Sequence, residues 1–404
     1  MATYLYTGHG NTSNWSDPAN WKGGIAPTTT DTALFLGGAN ATVTAPVSVQ
    51  NVMLLGAMSL TFDGTVNTSG TGFCSGFMVC DDATATFAPG SALNAPAGAL
   101  IVGIDDFGTF TANGTAAAPT VLTTANATIG KFAAAAGTVT LNDTTWNCAT
   151  TTFLGLEGQG TLNIENGSQV VIARNLAVGC DAGSSGTITL ASGGDLTVDG
   201  STDLGLAGLS TITVDSGSLF TVQNLAIIGA GSTLDLLGGS VAAGIVGGWL
   251  SVEPGGQIIG DGLLTTRATG MFEDDGRVEA TGGTLQIDGV IKGAGVMQID
   301  ANSTLASTGI ALMLPQITFA GPDATLSLSH AEWLTGTLSG FTIGDHITMS
   351  GIDAATWNAA TQTLTLTDAG RHVDALHLAG AYTGDVFAVT QTGGLGTISL
   401  SAHA

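Results

Sequence analysis

Four acidic residues recur at a spacing that could place them around a cation. Counting two positions on from a repeated glycine or cysteine gives Asp82, Asp105, Glu157 and Asp181, and Asp81 and Asp106 adjoin the first two. If the recurrence marks successive levels of a stack, Asp82 lies over Asp105 and Glu157 over Asp181. Like charges set opposite one another repel. A hard cation such as Ca2+, which takes carboxylate and carbonyl oxygens, relieves that repulsion. The competing reading is a solvated corner, where high dielectric keeps the repulsion weak.

Other chemistry is harder to assemble from this chain. Glycoside hydrolysis needs paired carboxylates, and a lyase adds a basic cluster. The seven basic residues are Lys22, Lys131, Arg174, Arg267, Arg277, Lys292 and Arg371, and they form no run. The histidines, His9, His330, His346, His372, His377 and His403, all avoid the regular repeats. Arg371, His372 and Asp374 make the densest polar knot, which reads as a solvated turn. Metalloprotease, nucleophile-elbow, P-loop and dinucleotide motifs are absent. The expectation is therefore a protein that is not an enzyme. Four cysteines, Cys74, Cys80, Cys148 and Cys180, are too few to staple 404 residues. Cys74 and Cys80 are close enough to pair across a corner; buried small hydrophobes are the alternative.

Charge narrows the partners. With 31 acidic against 7 basic residues the net charge is −24 and the isoelectric point about 4.1. Nucleic acid and anionic membranes both require a basic patch. Charged residues are only 9% and mean hydropathy is +0.39, which also argues against disorder. The opening residues lack a basic and then apolar leader, and no run is long enough for a transmembrane helix. The chain is expected to be secreted or at the cell surface, exported without a classical N-terminal signal peptide.

What positions these residues is a repeat. Short apolar strands end at Gly56, Cys80, Gly103, Gly130, Gly155, Gly179, Gly205 and Gly229, at intervals of 24, 23, 27, 25, 24, 26 and 24. A second alternating segment follows each glycine, as in TLNI from Thr161 and TITL from Thr187. A third leads into the next, as in QVVI from Gln169 and LFTV from Leu219. Three strands and their turns fill about 25 residues, one coil of a right-handed parallel β-solenoid (β-helix). No coil can bury its own core face, so the coils must stack. Alternation points Val178 inward.

Solenoids need caps. Residues 1–45 read as an N-terminal cap with the first strands, Trp15 and Trp21 plugging the first coil. A sugar-stacking platform is the alternative for these tryptophans. Residues 46–324 read as solenoid and residues 325–404 as a distinct C-terminal β-rich domain. There, AATW forms a turn or short helix, and Phe341, Ile343, Ile347 and Met349 point inward.

The segment NLAVGCDAGSSGTITLASGGDLTVDG (175–200) resembles the Gly-rich β-helical repeats of bacterial autotransporter-type surface passengers. The opening from Trp15 to Pro27 and the ending at 340–370 resemble the two ends of alphaproteobacterial type I-secreted surface proteins. Two departures stand out: an outer-membrane barrel and a calcium-roll nonapeptide array are both missing. The resemblance implies an extracellular structural or adhesive surface protein. Two unlike ends add the expectation of self-association head to tail into filaments or a biofilm matrix, with strands at both termini left open to pair. The alternative is a carbohydrate-binding or carbohydrate-active β-helix whose partner is a cell-surface polysaccharide.

Overall fold

Alternating Thr, Val, Ile and Leu give an extended chain one dry face and one wet face. In the computed structural model this pattern becomes an all-β fold, a parallel β-solenoid of roughly 24–25-residue repeats over most of the chain, with further β-structure beyond it. The structure describes residues 2–39, 41–266, 270–308, 316–329, 336–368, 371–382 and 384–401. The side chains of residues 73, 74, 372 and 373 also lie outside the description. The chain divides into two compact units, Met1–Val222 and Gln223–Ala404.

In the first unit each coil contributes to three parallel sheets. One contains Thr152–Leu154, Leu176–Val178 and Thr202–Leu204. The second contains Ala136–Asn142, Gln159–Glu165 and Ser185–Leu190. The third contains Thr144–Cys148, Gln169–Ile172 and Asp195–Val198. Parallel pairing begins at Thr3–Leu5 on Thr32–Leu36. The strands expected at 161, 169, 187 and 219 are present, in register. Leu162 stands opposite Val139 on one side and Ile188 on the other, and all three are fully buried. Burying each such side chain contributes about 1.5–3 kcal/mol.

The repeated glycines form a column at one corner. Gly103, Gly130, Gly155, Gly179 and Gly205 have φ of +69°, +72°, +64°, +63° and +69°, a left-handed conformation that suits glycine. Cys80 breaks the column, and the positive φ passes to Asp81 and Asp82, at +55° and +65°. Gly108, Gly137, Gly160 and Gly186 stack in register as a second column. A Cβ on Gly160 would lie 2.5 Å from both Gly155 N and Ile129 O. The two columns are therefore in backbone-to-backbone contact.

The interior is wider than a shortage of aromatics implies. Phe62, Phe87 and Phe110 pack in succession at centroid distances of 4.8 and 5.2 Å. Trp146 is fully buried, and its Nε1 donates to Thr124 Oγ1 at 3.0 Å. Trp15 and Trp21 are buried, clustered with Tyr6 and Phe35, so they plug the N-terminal end and offer no sugar platform. The outer edge of the first strand is bridged at its C-terminal end. Lys22 N donates to Leu5 O at 2.9 Å and Thr7 N to Asn20 O at 2.6 Å.

The second unit keeps parallel stacking but shortens its coils. Leu326 stands between Leu305 and Ile347, 21 residues to either side. Beyond Ser350 antiparallel pairing takes over, although Arg371–Ala379 still pairs in parallel with Thr337–Ser339 on one edge. Leu395–Ser401 lies between His346–Ser350 and Val386–Thr392, hydrogen-bonded to both. This segment, expected to be an open terminal strand, is thus paired on both edges. Ala354–Asn358 is a strand, antiparallel to Thr363–Asp368, which corrects the turn or helix expected at AATW. Phe341, Ile347 and Met349 are buried as expected, but Ile343 is 59% exposed. The Asp345 carboxylate accepts from Thr342 N, Thr342 Oγ1 and Ala324 N at 2.7, 3.0 and 3.0 Å. That tight turn rotates Ile343 to solvent.

Candidate functional site

The acidic corner lies immediately after the first glycine column. Asp82, Asp105, Glu157 and Asp181 are all exposed. From the strand before the corner, where Val79 pairs with Val102, Asp82 counts to Asp105. From the strand after it, where Ala83 pairs with Gly108, Asp82 counts to Phe107. The Asp82 N–H follows the second count and donates to Phe107 O at 2.7 Å. The two-residue corner of one coil thus meets a four-residue corner in the next.

Glu157 and Asp181 hold equal positions in successive coils. Leu154 pairs with Val178, and Asp181 N donates to Leu156 O at 3.0 Å. Among the described residues no group of three or more His, Cys, Asp or Glu could hold a metal ion. Two carboxylates supply only part of the six to eight oxygens that Ca2+ takes, so backbone carbonyls and water would have to supply the rest.

Cys80, Cys148 and Cys180 are free, buried thiols. Burial, with Asp81 and Asp105 adding to it, pushes the Cys80 thiol up to about 12. Burial, then Asp181 and Asp203, push Cys180 up to about 11. Thiols held protonated in this way are poor nucleophiles. The Cys74 side chain, His330, His403 and the His372 side chain lie outside the described residues. Arg371 is exposed and pairs in register with Asp368.

Three features went unread in the sequence. The first is Asp274, a fully buried carboxyl at an inward strand position; the alternation from Phe272 carries that signal. The second is Trp249, 41% exposed, with Lys292 Nζ 4.5 Å from its ring centroid. Lys292 also reaches Glu273 at 2.8 Å, and an open hollow of about 300 Å3 adjoins Leu225, Gly248 and Trp249. Only pairing in register brings these together, so no local motif marks them. The third is a cleft of about 540 Å3 bounded by Phe341, Ile343, Tyr382 and Asp385. Burial, then Asp345 and Asp385, raise the Tyr382 phenol. Tyr382 packs on Trp357 and Phe387 at 5.2 and 5.4 Å, which reads as the small core of the C-terminal strands.

This geometry defines a class by architecture, an all-β parallel solenoid. No protein-family model matches the chain, and no curated protein matches it. Among solved structures it is similar to the crystal structure of the TibC-catalyzed hyper-glycosylated TibA55-350 fragment. The identity is 14%, over 83% of this chain and 100% of that one, with a TM-score of 0.30. A likeness at that level leaves function to be argued from the chain itself. No helix among the described residues is long and apolar enough to cross a membrane.

Proposed function

We propose that the chain is an extracellular structural or adhesive protein, a stiff spacer or coat element of the cell surface. One observation carries this reading: within each unit the described strands stack coil on coil over a dry core. Among the described residues, their outward positions carry ladders of hydroxyl and amide groups, not a converging set of reactive side chains. Asn142 Nδ2 donates to Asn113 Oδ1 at 3.0 Å and Asn166 Nδ2 to Asn142 Oδ1 at 2.8 Å. Such a surface suits solvated contact with other macromolecules. The test is fractionation of the producing cell together with attachment of cells that lack the chain. Surface recovery and reduced attachment are expected; confinement to the cytoplasm overturns the proposal.

Head-to-tail association remains part of the proposal by a changed route. The outer edge of the first strand is bridged at its C-terminal end by residues 20–22, and the 395–401 strand is paired twice. Contacts between copies would therefore run through side chains of the end segments, not through added strands. Calcium is proposed only at the Glu157/Asp181 corner, as a weak ligand with a dissociation constant of roughly 10⁻⁴–10⁻³ M, as in extracellular modules.

A second reading, binding of a cell-surface polysaccharide, is favoured by Trp249. An exposed indole beside Lys292 and Glu273 combines an apolar face with hydrogen-bonding groups. Retention of Trp249→Ala on immobilised polysaccharide equal to that of the unaltered chain would remove it.

A further inference from the structure

Asp274 ends the strand Met271–Asp274, which pairs in parallel with Trp249–Val252. The register puts Asp274 opposite Val252, and both residues are fully buried. The carboxyl thus takes the place of a methyl-bearing side chain in an inward row. One oxygen is used: Gly276 N donates to Oδ1 at 3.1 Å. The other, Oδ2, is buried and has no hydrogen-bond partner. The next level makes room with glycine. A Cβ on Gly295 would lie 2.6 Å from Asp274 Oδ1, and one on Gly293 would strike Asp274 O.

The charged groups around this carboxyl are engaged elsewhere. Glu273 points outward and pairs with Lys292 at 2.8 Å. Arg277 pairs with Glu279 at 2.6 Å. Asp275 accepts from Ala294 N at 2.8 Å, and Glu253, after the paired strand, accepts from Ser251 Oγ at 3.0 Å. None supplies the positive charge that an ionised carboxylate in a dry interior requires.

We propose that Asp274 is a pH-sensitive lock on the coil spanning residues 271–295, closed while the carboxyl carries its proton and loosened when the proton leaves. The orphaned oxygen and the glycine hollow carry the inference. Desolvation, opposed by the Gly276 N–H and reinforced by Asp275, pushes the group up to about 7. The folded-state value is raised, so the folded form holds the proton more tightly. The stabilisation is complete at and below about pH 4 and is lost as pH rises through about 7.

The test compares the intact chain with Asp274→Asn, which removes the charge and keeps the acceptor, by denaturant unfolding from pH 4 to pH 8. The folding equilibrium constant of the intact chain should fall by ~10³-fold relative to the Asn variant over that range. Parallel pH profiles overturn the lock. Asp274→Val continues the Val252 row and serves where Asn does not fold, with the same divergence expected. In the unaltered chain, the infrared band of a protonated carboxyl should persist at pH 6, fall to about half near pH 7 and be largely gone by about pH 8. Its absence at pH 6 overturns the proposal independently of either variant.

Discussion

The tightest test of the packing is to add one methyl group to Gly160. Its Cβ would meet Gly155 N and Ile129 O at 2.5 Å and Leu154 Cγ at 2.9 Å. Real Cβ atoms essentially never come within 3.0 Å of such neighbours. Two backbone segments of adjoining strands would have to separate by about half an ångström, at the upper end of the ~1–3 kcal/mol typical of overpacking. Gly167 is the control. It sits at a turn tip with φ +72° and nothing within 4 Å of its Cβ position. Gly167→Ala costs only the left-handed backbone, about 1–2 kcal/mol, partly offset by lower unfolded-state entropy. Thermal unfolding should therefore place Gly160→Ala some 4–8 °C below Gly167→Ala, at about 2–4 °C per kcal/mol for a unit of this size. Amide exchange should show protection lost from residues 129–160 outward, because coils stabilise only their neighbours. If Gly160→Ala melts as high as Gly167→Ala, the two glycine columns are not in contact and the corner has been misread.

Other outcomes follow from the same coordinates. Val178→Asp places a carboxylate in a dry row between Leu154 and Leu204; several kcal/mol should be lost, and an unchanged melting curve would mean that Val178 faces out. Calcium at the Glu157/Asp181 corner should raise the melting temperature by several degrees over chelator at equal ionic strength, and coincident melts would remove the cation. Deleting residues 395–401 strips the pairing partner from His346–Ser350 and Val386–Thr392. Light scattering at about 0.15 M salt should then show more self-association than in the intact chain, and an unchanged monomer would show those edges to be harmless.

The coils were legible because a solenoid is written locally. A strand ending in glycine every 24 or so residues fixes both the corner and the period. The equivalence of Cys80 with the glycines held for spacing but not for conformation, since Asp81 and Asp82 take the left-handed angles there. Core width was not legible: Phe62, Phe87 and Trp146 look isolated in sequence, and only register brings the phenylalanines into one stack. The segment GLGTISL at 394–400 alternates and lacks charge, the pattern of an open terminal strand. Alternation reports which face is dry, not how many neighbours a strand has. Glu157 and Asp181 keep the equal places that spacing gives them, but unequal corner lengths set Asp82 against Phe107.

Register also explains how so acidic a chain can stack at all. Parallel coils set equivalent residues about 4.8 Å apart, and a column of carboxylates there would be strongly destabilising. The pairings avoid it. Glu165 stands opposite Asn142, Asp195 between Gln169 and Leu219, and Asp203 opposite Ala177. In the second unit Glu273 lies between Ser251 and Lys292, and Glu279 between Ile259 and Gln298. Among these strand pairings no acid faces an acid, so the negative charge is dispersed along the sheets and the few cations suffice. The corner after Gly155 and Gly179 departs from this pattern, because Glu157 and Asp181 hold equal places there and both are exposed. Repulsion between whole copies is not cancelled by such local spacing. A net charge of −24 acts over about a Debye length. Association between copies should therefore strengthen as salt is raised toward physiological strength, whereas assembly driven by complementary ion pairs would weaken under the same change.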